Sequence, residues 1–126
     1  MDQTKFIVSG SMLVKYMGVG DTSVTVPAGI TFIGSDAFNS CRNLISVTLP
    51  DGITDIGERA FSACIKLASI NLPAGLISIG MQAFEGCTAL SFLRIPTTVR
   101  SIGIPQRYRL SVPGQKDHLS GIYGPH

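Results

Sequence analysis

Tryptophan is absent from this 126-residue sequence, and charge is scarce: 14% of the residues are charged, against a usual ~25%. No stretch approaches the ~20 consecutive apolar residues that a membrane span requires. The opening Met1-Asp2-Gln3-Thr4-Lys5 lacks a basic region followed by a long apolar one, so the sequence as written shows no secretory signal. Metal sites draw on closely spaced Cys and His pairs, and no such pair occurs. The three cysteines, Cys41, Cys64 and Cys87, stand 23 residues apart, and both histidines, His118 and His126, lie far along the chain from them. A catalytic thiol needs a neighbouring His or a helix start, so neither a metal, a cofactor nor catalysis is expected.

The hydrophobic fraction of 44% is enough to fill a core, and the length suits a single domain. Net charge is +2, unevenly spread. Residues 1–93 carry five basic against seven acidic side chains; residues 94–126 carry five basic against one acidic. A basic end can touch nucleic acid. These charges are dispersed among Pro and Gly with no run of one sign, so no nucleic-acid partner is expected.

What the chain does contain is a period. Pro27, Pro50, Pro73 and Pro96 recur every 23 residues. So do Ile33, Ile56, Ile79 and Ile102, each followed by Gly. Ala-Phe recurs at 37–38, 60–61 and 83–84, the cysteines follow, and Leu44, Leu67 and Leu90 complete the unit. In Ser46-Val47-Thr48-Leu49 apolar and small polar residues alternate, the signature of a half-buried strand, which Pro50 ends. Ile53 and Ile56 point inward from a short extended or turn segment, and Gly57 closes it at a sharp bend or a positive φ. Ala60, Phe61, Cys64 and Leu67 then fall on one face of a short helix. No such unit buries its apolar stripe alone, so unit must stack on unit.

The columns Pro-x-x-Ile/Leu/Val-x-x-Ile-Gly-x-x-Ala-Phe-x-x-Cys-x-x-Leu resemble the BspA-like class of leucine-rich repeats, closely over residues 24–103. The resemblance implies an α/β repeat solenoid. It would be a right-handed superhelix with a parallel β-sheet on one face and short helices on the other. About three and a half repeats occupy 24–103. Residues 1–23 read as an N-terminal hairpin cap, its strands joined at Ser9-Gly10-Ser11. After Gly103 the period fails: Gln106-Arg107, Leu110 and Pro113 stand where Ala-Phe, Cys and Leu are due. Residues 104–126 are either a divergent cap or an irregular tail.

The resemblance also implies a non-catalytic interaction role with a protein or glycan, and a cell-surface or secreted setting if the chain is part of a longer protein, a cytoplasmic one otherwise. A structural spacer is the competing reading, with self-association through the C-terminal end. The expected binding face comprises the strand residues that alternate with the core: Ser23 and Thr25, Ser46 and Thr48, Ser69 and Asn71, Phe92 and Arg94. Phe92 and Arg94 stand out, since aromatic and Arg side chains anchor interfaces. Four rungs of three residues give a patch on the order of 200 Å², short of the ~800 Å² per partner of a standard interface. Three other features read as structural. The cysteines form a buried ladder. Gly18-Val19-Gly20-Asp21 forms a turn, since it lacks the third Gly of a phosphate loop. Asp51, Asp55 and Glu58 lie along a solvated edge.

Overall fold

A computed structural model describes residues 5–90, 92–102 and 109–111. The chain winds as a β-solenoid of about four turns. Strands β1 (Phe6–Ser9) and β2 (Met12–Tyr16) form an antiparallel hairpin. Gly10 sits at its tip with φ 61°, a conformation open to Gly at little cost. Two strands per coil follow. The first of each pair are β3 (Ser23–Thr25), β5 (Ser46–Thr48), β7 (Ser69–Ile70) and β9 (Phe92–Arg94). The second are β4 (Phe32–Ile33), β6 (Asp55–Ile56), β8 (Ser78–Ile79) and β10 (Ser101–Ile102).

Parallel pairing advances by one repeat at each step. Ser23 pairs with Ser46 and Ser46 with Ser69; Phe32 pairs with Asp55, Asp55 with Ser78 and Ser78 with Ser101. Three of the first set make a three-stranded sheet, β3-β5-β7. The second set, with the hairpin at its head, makes a six-stranded sheet, β1-β2-β4-β6-β8-β10. The segment around Ile53 and Ile56 thus belongs to a second ladder. β9 pairs in parallel with β11 (Arg109–Ser111), Leu93 beside Leu110. That step is 17 residues, and only six separate Ile102 from Arg109. The 23-residue step is thus not kept from β9 to β11. Apart from Arg109–Ser111, the alternatives of cap or irregular tail for 104–126 fall outside the described residues.

The short helices expected over Ala-Phe-x-x-Cys are not there; the described residues hold no helix. Backbone hydrogen bonding gives the reason. Alternate amides along this segment donate to the next coil: Asp36 to the Glu58 carbonyl (3.0 Å), Phe38 to Ala60 (2.7 Å), Ser40 to Ser62 (2.7 Å). Arg59, Phe61 and Ala63 repeat the pattern onto Met81, Ala83 and Glu85. The intervening amides close four-residue turns, as from Ala37 to Gly34 and Asn39 to Asp36. Positive φ at Asp36, Ser40, Arg59, Ala63, Gln82 and Gly86 breaks any α-helical run. This wall is a third inter-coil ladder.

The repeated glycines serve close approach, not a positive φ. A Cβ on Gly57 would lie 2.8 Å from the Ser35 nitrogen, and one on Gly80 2.5 Å from that of Glu58. Inside the three walls the core is apolar, with no buried polar or charged side chain among the described residues. Five rings run along it. Phe6 tilts against Tyr16, Tyr16 stacks on Phe38, Phe38 on Phe61 at 4.8 Å, and Phe61 on Phe84 at 5.5 Å.

Candidate interaction surface

The first sheet carries Ser23, Thr25, Ser46, Thr48 and Ser69, with Asn71 just past the end of β7, whereas Phe92 and Arg94 lie on β9, which pairs with β11 instead. Ser23, Thr25, Thr48, Ser69, Asn71 and Arg94 are exposed and Ser46 is half-buried, while Val24 and Val47 between them are buried. The Ser46 hydroxyl donates to that of Ser23 at 3.2 Å. Phe92 lies on β9, but its side chain falls outside the described residues.

Two members of the face do different work. The Asn71 side-chain amide accepts from the Leu49 amide (2.7 Å) and donates to the Leu49 carbonyl (3.0 Å). It mimics a strand residue and extends the ladder where β7 stops at Ile70, so its hydrogen-bonding groups are taken up within the fold. Arg94, by contrast, has no carboxylate partner among the described residues. It lines a groove of about 360 Å³ with Leu72, Ala74, Pro96 and Thr97. Leu72 is half-buried there, although its counterparts Val26, Leu49 and Ile95 in the other coils are buried. The core is thus less covered there, beside a cation with no carboxylate partner among the described residues. Sequence reasoning reached Arg94 because it breaks a column of small polar residues. It missed the groove, because no residue type in Leu72-x-Ala74 or Pro96-Thr97 departs from the repeat.

Elsewhere the side chains are committed to the fold. The Cys64 and Cys87 thiols donate to the carbonyls of Phe38 and Phe61 at 3.1 and 3.0 Å. Hydrogen bonding to Cys64, then burial, pushes the Cys41 thiol well above its ordinary range. For Cys64, the hydrogen bond with Cys41 pulls downward. The one with Cys87, together with burial, outweighs it and leaves the thiol pushed up to about 12. Such thiols stay protonated and unreactive. Asp55 accepts from the Thr54 and Ser78 hydroxyls at 2.7 Å each, and Glu58 pairs with Arg59 at 3.4 Å. Among the described residues no three His, Cys, Asp or Glu side chains converge as a metal site would need, and no helix is long and apolar enough to cross a membrane.

Residues 16–105 match the profile of the BspA-type leucine-rich repeat region, in six copies. The fold is similar to that of a leucine-rich-repeat protein from T. pallidum, with TM-score 0.78 and 25% identity, covering 89% of this chain and 64% of that one. It is also similar to a leucine-rich-repeat protein from Bacteroides capillosus, with TM-score 0.75 and 27% identity, covering 87% of this chain and 99% of that one. A leucine-rich cell-surface protein from Faecalibacterium prausnitzii aligns at TM-score 0.59 and 27% identity, covering 88% of this chain and 37% of its own length. This chain therefore spans less than two thirds of some of these relatives. No curated protein shows significant similarity to it.

Proposed function

The chain belongs to the BspA-type leucine-rich-repeat family, and from that premise we propose that it is a non-catalytic interaction module that binds a protein or glycan at a cell surface or within a scaffold. One observation carries the reading. Arg94, without a carboxylate partner among the described residues, lies beside the half-buried Leu72 in a groove at the edge of the first sheet. A cation next to uncovered apolar surface is the composition of an interface anchor. The neighbouring Ser and Thr rows supply a flat, hydrogen-bonding apron around it. The cell-surface setting draws on the Faecalibacterium prausnitzii protein, which is described as one. The small area of the sheet argues for a partner that also meets the groove, or for several modules acting together.

Screening immobilised glycan and peptide arrays, then titrating the strongest hit, tests this. Arg94→Ala is expected to weaken binding about tenfold, the loss of one charge-assisted contact. An unchanged affinity would move the site off this face.

A second reading is association of copies through the C-terminal end. β10 is the last strand of the six-stranded sheet and pairs only with β8 among the described residues. Open strand edges pair readily. Sedimentation showing a monomer at millimolar concentration would remove it.

A further inference from the structure

A second cleft, of about 440 Å³, opens at the other end of the molecule, between the loop 17–21 and the turn 39–44. Its size falls in the ~300–1,000 Å³ range of small-ligand sites. The loop is held at both ends. The Met17 amide donates to the Lys5 carbonyl at 2.6 Å. Asp21 accepts from the Tyr16 hydroxyl and from the Lys5 ammonium at 3.0 and 3.1 Å. The one carboxylate in the lining is thereby neutralised. Two cations in the lining are not. The Lys15 ammonium reaches only the Asp36 carbonyl, at 3.2 Å, and Arg42 is exposed with no carboxylate partner among the described residues. Asn43 adds an amide donor, and Asn39, whose amide already donates to the Asp36 carboxylate at 2.8 Å and accepts from the Ser40 hydroxyl, keeps one N–H for the cleft.

The lips are apolar: Val19 is 91% exposed and Met17 54%. Leu44 and the buried Tyr16 also line the cleft. The rings of Phe6 and Phe38 lie against Tyr16, so no open aromatic face is offered for a sugar to stack on. Arg42, Asn39 and Asn43 stand where the second coil has Ile65, Ser62 and Lys66 and the third has Thr88, Glu85 and Ala89. Cation and amides come together only in the coil that faces the loop.

We propose that this cleft binds a carboxylate-bearing peptide segment, with an aliphatic side chain next to the carboxylate. The carboxylate sits between Arg42 and Lys15, and the aliphatic group lies under Met17 and Val19. The site is separate from the groove at Arg94 and stands without it.

The test is a titration of the 15N-labelled chain with acetyl-Leu-Glu-amide, followed by amide shifts. The expected result is shifts centred on Gly18, Gly20, Asn39 and Arg42. Acetyl-Leu-Gln-amide is expected to bind about tenfold more weakly, and Arg42→Ala to cost a similar factor with the spectrum outside the cleft unchanged. Arg42→Lys retains most of the affinity, Arg94→Ala all of it, and added salt weakens binding. Equal binding of the Gln peptide, or no response to Arg42→Ala, overturns the proposal. So does the absence of cleft shifts up to about 10 mM, a concentration beyond which binding is weaker than ~3 kcal/mol. Tighter binding of glucuronate or inorganic phosphate than of the peptide overturns the peptide assignment.

Discussion

Gly57 and Gly80 show how much of this fold depends on single atoms. Each stands where the backbone of the preceding coil leaves no space for a Cβ, and the obstructing atoms are main-chain ones that cannot rotate away. Gly80→Ala is therefore expected to lower unfolding stability by about 2–3 kcal/mol, the upper part of the usual range for overpacking. Gly75→Ala, with nothing within 4 Å of its added carbon, should change it little. Urea denaturation of the pair checks this, and equal midpoints would refute the close-approach argument. Gly86 is a different case: its φ of 78° penalises any L side chain by about 1–2 kcal/mol. Asn71 is the polar counterpart. Its two bonds to Leu49 join neighbouring coils at the edge of the candidate face. Asn71→Ala is expected to cost about 1–2 kcal/mol while leaving the Arg94 groove able to bind.

Among the elements, the hairpin at the head of the six-stranded sheet and the loop after it share a pH dependence of their own. Asp21 is held below the usual carboxylate range, first by the Tyr16 hydroxyl and then by Lys5. Tyr16 is held above its ordinary value, first by burial and then by Asp21. For Asp21, a lowered native pKa means stabilisation that is present above its ordinary ~3.9 and lost as pH falls through the lower native value. For Tyr16, a raised pKa means stabilisation present below ~10 and lost as pH rises above it. Stability should thus be level across neutral pH and fall at both extremes. Asp21→Asn should lose stability at neutral pH and converge on the parent chain in acid. Denaturation midpoints at a series of pH values decide it, and a constant gap down to about pH 2 would mean the carboxylate charge plays no part.

The first-sheet strands were legible because three or four alternating residues sit before a proline. The second ladder was not, since two-residue strands such as Asp55–Ile56 give no alternation to read. The helix was misread for a related reason. Ala60, Phe61, Cys64 and Leu67 have the spacing of a helical face, yet what redirects the chain is positive φ at Arg59 and Ala63, residue types that carry no signal for it. Only Gly86 in that column hints at the conformation. At the candidate site, Arg94 was visible as an exception to its column. The groove arises from how Leu72 is covered by the next coil, which no local pattern records.

At the scale of the whole molecule, stability is a sum over neighbours. The first coil is bonded to the second, and the second to the third, by two parallel ladders, by the third set of amide bonds, and by one stacked ring. Freeing a terminal coil breaks one such interface, whereas opening the middle coil breaks two. Amide exchange should therefore be slowest in the second coil, at Gly57 and Phe61, whose amides bond to the coils on either side of it: Gly57 to Ile33 and Phe61 to Ala83, at 2.7 and 2.8 Å. Exchange should quicken toward Phe6–Ser9, the outermost strand of its sheet. Perturbation should follow the same rule. Phe61→Ala removes a ring in contact with both neighbours and is expected to cost about 3–5 kcal/mol, lowering protection in every coil. Tyr16→Ala removes the ring that joins hairpin to first coil, so protection should fall most in β1 and β2 and fade by the third coil. Residue-resolved hydrogen exchange on the two variants reads both patterns. Equal loss at all amides in Tyr16→Ala would show that the solenoid opens only as one unit, and the neighbour-by-neighbour account would fail.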